Sequence, residues 1–155
     1  MPQTEQIKKI LLVDDDPDDC YLLTEALTQL FSDISLDYVH HFLDAMEYLL
    51  TTRPDLIFLD LNMPYKNGFV ALTELKADEV FRQIPVIVFS NSDNPRDIKL
   101  SYEKGAALYI TKPISYKELL QSLQQVIEKD WSRPAAITAK YYINGQYHPF
   151  RSEAI

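Results

Sequence analysis

Residues 8–20 read KKILLVDDDPDDC: four apolar side chains, Ile10-Leu11-Leu12-Val13, end abruptly in Asp14-Asp15-Asp16, and Pro17 follows. A short, unbroken apolar run bounded by polar residues has the character of a strand buried on both faces. Asp16 before Pro17 is an N-cap followed by a proline at the first helical position. A buried strand that passes within three residues into a capped helix is the opening half of a βα unit. The same motif recurs as Leu56-Ile57-Phe58-Leu59 into Asp60, Val86-Ile87-Val88-Phe89 into Ser90, and Leu108-Tyr109-Ile110 into Thr111-Lys112-Pro113. In an open parallel sheet the carboxyl ends of all strands lie on one edge, so the polar residues closing these runs are expected to converge there. The spacings of 45, 30 and 22 residues between Asp15, Asp60, Ser90 and Lys112 fit two, one and one βα repeats.

Working outward, strand-type runs alternate with helix-period segments from Lys8 to about Trp131, which predicts an α/β fold with five parallel strands and five helices, doubly wound. Cys20, Leu23, Leu27 and Leu30 mark the buried stripe of the first helix. A second strand is expected over Leu36 to His40, then a helix turning Phe42, Met46 and Leu49 inward. After Asp60, the loop Leu61 to Gly68 turns at Asn67-Gly68 into a helix carrying Leu72 and Leu75. Asn94-Pro95 opens a helix ending near Gly105. Ser115-x-x-Glu118 has capping-box spacing, and Leu119, Leu120, Leu123, Val126, Ile127 and Trp131 follow along one side. Ser132-Arg133-Pro134 breaks this helix, dividing a domain of residues 1–131 from a Tyr-rich tail of residues 132–155. Within the tail, Tyr141 to His148 around Asn144-Gly145 predicts a small type I′ hairpin. Because isolated hairpins are marginal and termini fray, a tail lying on its own domain or partly disordered is favoured over a partner-binding arm.

Composition excludes several classes. At 155 residues the chain holds one domain and no separate effector domain. A net charge of -8 and a pI near 4.8 oppose a nucleic-acid surface, which needs a concentrated Lys/Arg stripe. The single cysteine, Cys20, sits at apolar spacing and reads as a small buried hydrophobe in a reducing compartment. No stretch has the length of a signal peptide or a membrane span, so a cytoplasmic protein is expected.

The chemistry of the converging residues is specific. Asp14, Asp15 and Asp60 in one pocket would raise each other's pKa values, and a hard divalent cation such as Mg²⁺ relieves that crowding while accepting phosphate oxygens. Asp60 is then the candidate nucleophile toward a phosphoryl donor. Lys112 is placed to stabilise charge on the transferred group, and the Ser90 hydroxyl can donate to a phosphate oxygen of the product. Each has a plainer role: Asp16, Asp18 and Asp19 are better explained as cap and first-turn acids, Ser90 alone as a turn residue, Lys112 alone as a solvated amine. It is their joint occurrence in register with the strands that carries the chemistry.

Leu12-Val13-Asp14-Asp15-Asp16, Leu59-Asp60-Leu61-Asn62-Met63-Pro64, Ser90 and Lys112-Pro113 resemble, in order, the hallmark segments of the receiver domain of two-component response regulators. The likeness spans roughly Lys8 to Trp131. The wording around Asp15 to Asp19 and Ile127 to Trp131 looks most like the single-domain regulators associated with phytochromes. The resemblance implies a flavodoxin-like strand order 2-1-3-4-5 and a Mg²⁺ site made by Asp15 and Asp60 directly, Asp14 through water, and the backbone carbonyl of Asn62. It further implies Asp60 as phosphoacceptor, Ser90 and Tyr109 as a switch pair, and a sensor histidine kinase or histidine phosphotransfer protein as donor. Phosphorylation would draw Ser90 inward, Tyr109 would fill the vacated space, and the face of the fourth helix, fifth strand and fifth helix would pass the change to a downstream protein or to self-association.

Rival readings are a Mg²⁺-dependent aspartyl-phosphate phosphatase, a phosphorylation-independent docking module, and a flavodoxin-like flavin carrier. Phosphatases of the haloacid dehalogenase type generally place a second Asp two residues after the nucleophile as general acid, whereas Asn62 here cannot deliver a proton. The first loop is acid-rich and glycine-free, the wrong surface for a flavin phosphate. The chain is therefore expected to act as a phosphoacceptor rather than an enzyme, with Asn62 and Ser92 tuning hydrolysis.

Overall fold

β1 (Lys9–Val13), β2 (Ser35–Val39), β3 (Leu56–Leu59), β4 (Val86–Ser90) and β5 (Leu108–Thr111) form one parallel sheet in the order β2-β1-β3-β4-β5. The structure, a computed structural model, describes residues 7–63 and 67–153; Pro64, quoted above with the Asp60 segment, and the first six residues of the N-terminal stretch read above lie outside them. β3 and β4 are buried throughout, and β1 and β5 at all but one residue, as strands covered on both faces must be. β2 is an edge strand and mostly exposed. It begins and ends one residue earlier than Leu36–His40, because pairing with β1 from Lys9↔Ser35 to Val13↔Val39 sets its register rather than its own weak pattern.

Successive strand residues face opposite layers. Ile10, Leu12 and Phe58 pack with Leu23, Leu27, Leu123 and Val126 from α1 (Pro17–Leu30) and α5 (Tyr116–Ile127). Leu11, Val13 and Ile57 pack on the other side with α2 (Phe42–Thr51), α3 (Gly68–Ala77) and α4 (Pro95–Glu103) through Phe42, Leu72 and Ile98. The chain thus winds one way from β1 to β2 and the other way from β1 to β3. The crevice at this reversal opens at the carboxyl ends of β1 and β3, where Asp14 and Asp60 sit.

The caps read from sequence are present: Asp16 accepts from the Asp18 N–H, Asn94 from Arg96, and Ser115 from Glu118. Asn67-Gly68 differs from expectation. Asn67 caps α3, accepting from the Val70 N–H, and Gly68 is its first helical residue. The glycine is required by space: a Cβ there would lie 2.5 Å from Leu61 Cα and 2.6 Å from the Asp60 carbonyl oxygen. The inward stripes hold with two adjustments, since Leu30, Met46 and Leu120 are only half-buried and Ala26 and Ala45 take buried positions beside them.

α5 stops at Ile127, four residues before the end of its apolar stripe. Trp131 is buried beyond the helix, its indole N–H donating to the Val126 carbonyl at 2.8 Å. Pro134 does not merely break a helix but starts another, α6 (Pro134–Ala139), whose Ile137 is buried. The hairpin follows as β6 (Tyr142–Ile143) and β7 (Gln146–Tyr147), with Asn144 at φ 53° and Gly145 at φ 77°, both positive as a type I′ turn demands. Beyond it, Phe150 pairs in parallel with Ile110 and donates its N–H to the Tyr109 carbonyl at 2.7 Å. Phe150 therefore lies on the outer edge of β5.

Candidate functional site

Asp14, Asp15 and Asp60 bring carboxylate oxygens within 4.8 Å of one another. Strand pairing accounts for it: the Asp14 N–H bonds to Val39 O and the Asp60 N–H to Val13 O, so each residue leaves its strand at the same level of the sheet. Asp14 is fully buried; one carboxylate oxygen accepts the Asp16 N–H at 2.9 Å and the other accepts from Lys112 Nζ at 2.9 Å. Asp60, 5% exposed, accepts the Asn62 N–H at 3.2 Å and lies 3.6 Å from Lys112 Nζ.

Burial pushes the Asp60 carboxyl up to about 6, with the Asp14 charge adding to it, against the opposing pull of Lys112 and the Asn62 N–H. Burial likewise raises Asp14. Burial alone would lower Lys112, but its bonds to Asp19 and Asp14 and their charges outweigh that and hold it more firmly protonated than usual. One ammonium facing this many carboxylates leaves the pocket short of positive charge, and a hard divalent cation with oxygen ligands fits the donor set.

Asp19 was not foreseen as part of the site. It sits in the first turn of α1, as expected of a first-turn acid, yet its carboxylate accepts from Lys112 Nζ at 2.6 Å. The legible signal is its spacing: four residues after Asp15, on the helix that starts at the strand edge. Cys20 is buried, its thiol pushed up to about 12 by burial and then by Asp14 and Asp19, in keeping with an inert apolar role.

Ser90 and Lys112 are tied together, the Lys112 N–H donating to the Ser90 carbonyl at 2.7 Å. The buried Ser90 hydroxyl accepts the Ser92 N–H at 3.2 Å, and the Ser92 hydroxyl donates to Asp97 at 2.6 Å. Tyr109 is fully buried and donates its phenol to the Ser92 carbonyl at 2.7 Å. The ring is thus already inward in this structure.

With this geometry in hand, comparison with known proteins is decisive. The family described as Response regulator receiver domain matches residues 10–124. The chain belongs to the response regulator receiver family. Response regulator Rcp1 of Synechocystis sp. is 37% identical over 139 residues, covering 85% of this chain and 94% of Rcp1. The crystal structure of the phosphorylated cyanobacterial phytochrome response regulator RcpA superposes with a TM-score of 0.74 at 38% identity, covering 81% of this chain and 95% of RcpA. The Mn²⁺-bound form of Rcp1 superposes at 0.69 with 37% identity, covering 77% of this chain and 91% of Rcp1. The similarity to Rcp1 and RcpA extends over nearly the whole length of those regulators, and the strand order β2-β1-β3-β4-β5 is that of the family. The family match supports a phosphoacceptor role, and the cluster of Asp14, Asp15 and Asp60 could hold a divalent metal ion.

Proposed function

We propose that Asp60 accepts a phosphoryl group from a phosphohistidine on a sensor kinase or histidine phosphotransfer protein. The observation that carries this reading is the placement of the Asp60 carboxylate: at the winding reversal of the sheet, grouped with Asp14 and Asp15 and held just beyond hydrogen-bond reach of Lys112. In the transfer, an Asp60 carboxylate oxygen bonds to phosphorus as the phosphorus–nitrogen bond breaks. The imidazole departs with its electron pair and takes up a proton, leaving an acyl phosphate. Asp14, Asp15, Asp60 and the Asn62 backbone carbonyl would hold Mg²⁺. When bound, the cation supplies charge neutralisation for the phosphoryl oxygens and lets Asp60 ionise.

Lys112 Nζ has three N–H donors, and Asp14 and Asp19 occupy two. The third is free to reach a phosphoryl oxygen on Asp60. Ser90 would donate its hydroxyl hydrogen to another such oxygen while its oxygen accepts the Ser92 N–H, so the loop between β4 and α4 reads the phosphorylated state. Asn62 and Ser92, each two residues beyond a group that touches the phosphoryl, would set how readily water reaches it. Among the described residues no helix is long and apolar enough to cross a membrane.

The test is intact mass after incubation with Mg²⁺ and a small phosphoryl donor such as acetyl phosphate. A single Mg²⁺-dependent phosphoryl adduct that Asp60→Asn abolishes is expected. Absence of the adduct on the folded native chain would leave a docking module, and sustained donor hydrolysis would leave a phosphatase.

A further inference from the structure

Tyr109 is bonded on three sides. Its phenol reaches the β4–α4 loop at the Ser92 carbonyl, its backbone carbonyl accepts the Phe150 N–H, and its backbone N–H donates to the Tyr102 hydroxyl at 3.1 Å. The Tyr102 hydroxyl in turn donates to the His148 carbonyl at 2.9 Å. Both outward backbone groups of Tyr109, on the edge strand of the sheet, are thus satisfied by residues 148–150 directly or through one side chain. The attachment is built in depth. Tyr147 stacks on Tyr102 with ring centroids 4.8 Å apart, and Gln125 exchanges two hydrogen bonds with the Glu153 backbone. Lys129 Nζ lies 5.5 Å from the ring centroids of both Tyr141 and Phe150.

These contacts span α4, β5 and α5, the face through which a receiver of this kind would signal. The Tyr109 ring shares one apolar cluster with Tyr102, Tyr141 and Tyr147. For the ring to turn outward, it must break its bond to the Ser92 carbonyl. In this structure the docked C-terminal segment and the inward ring occur together.

We propose that Tyr102, Tyr147 and Phe150 are positioning residues that set Tyr109, and through it the β4–α4 loop beside Asp60, in the phosphoryl-binding arrangement before any phosphoryl group arrives. The proposal rests on the phosphoacceptor reading. It has a thermodynamic corollary: whatever the docked segment contributes to binding at Asp60, occupancy at Asp60 returns to docking of the segment. The C-terminal segment is thereby an output element that tightens on phosphorylation, and a partner needing the bare edge of β5 competes with it.

The experiment titrates Mg²⁺ with beryllofluoride, a phosphoryl mimic, into the full-length chain and into two full-length variants, Tyr147→Ala/Phe150→Ala and Phe150→Pro. The second removes the Phe150 N–H donor together with its buried ring while leaving the Tyr147–Tyr102 stack in place, and Mg²⁺ binding alone reports that the acidic pocket of each variant is intact. Both variants are expected to bind the mimic about fivefold or more weakly, within the usual range of coupling between sites. Amide hydrogen exchange at Phe150 in the native chain should slow when the mimic binds, a response that a merely structural contact would not show. Equal or tighter binding by the variants, or exchange at Phe150 unchanged by the mimic, would overturn the proposal. Binding by none of the three chains would remove the phosphoacceptor reading, and the proposal with it.

Discussion

At the scale of single residues, Asp60 is held in a form that costs the metal-free protein stability. Its folded-state pKa, about 6, lies above the ordinary 3.8, so the folded state binds this proton more tightly than the unfolded chain does. The stabilisation from that proton is complete below the unfolded value and is lost as pH rises through the folded one. Asp14 is shifted in the same direction. In metal-free buffer, the denaturation curves of native protein and Asp60→Asn should nearly coincide at about pH 4. They should separate by about pH 7, with the variant more stable by about 1–3 kcal/mol. Lys112 keeps Asp14 and Asp19 as partners in that variant, so no buried ammonium is stranded. Gly68 makes a second residue-scale case. A Cβ at 2.5 Å from Leu61 Cα would force backbone apart, and that backbone carries Asp60. Gly68→Ala should cost about 1–3 kcal/mol in urea denaturation and slow acetyl phosphate labelling about tenfold or more.

At the scale of elements, the strand-to-loop junctions were legible because their causes are local. A continuous apolar run makes a doubly covered strand, and a cap followed by proline starts a helix; Asp16-Pro17 and Asn94-Pro95 needed no tertiary knowledge. The start of α4 also bears on function, since Asn94 and Asp97 flank the Ser92 hydroxyl, which accepts the Asn94 N–H at 3.2 Å. Asn94→Ala should lower stability by about 1 kcal/mol through loss of the cap. It should alter the lifetime of the acyl phosphate, measured as loss of the mass adduct with time, more than Ser115→Ala at the start of α5 does. Elements whose limits depend on neighbours were less legible. The register of β2 comes from β1, the turn assigned to Asn67-Gly68 became a cap because backbone packs against it, and α5 ended early because the Trp131 indole folds back onto the Val126 carbonyl.

At the scale of the whole molecule, the sheet gathers carboxylates whose mutual repulsion Lys112 relieves in part and a divalent cation would relieve further, so folding and metal binding are coupled. Free Mg²⁺ at about a hundred times its dissociation constant should raise stability by about 2.7 kcal/mol, seen as a melting-temperature increase of several degrees that EDTA reverses. Asp60→Asn should show a smaller increase, because it has already shed part of the repulsion.

What the sequence by itself determined was the set of βα units, the strand ends at Asp14, Asp60, Ser90 and Lys112, and the chemistry those ends share. These depend on side chains only a few residues apart, where apolar period, caps and breakers act. Only the tertiary structure decided that Asp19 reaches Lys112, that Tyr109 is already buried, and that residues 148–150 are bonded to it directly and through Tyr102. Each of these pairs residues distant in the chain, and nothing in local propensity encodes such a meeting. It follows from which strand lies at the edge of the sheet, and from the unpaired backbone groups that an edge leaves to be satisfied.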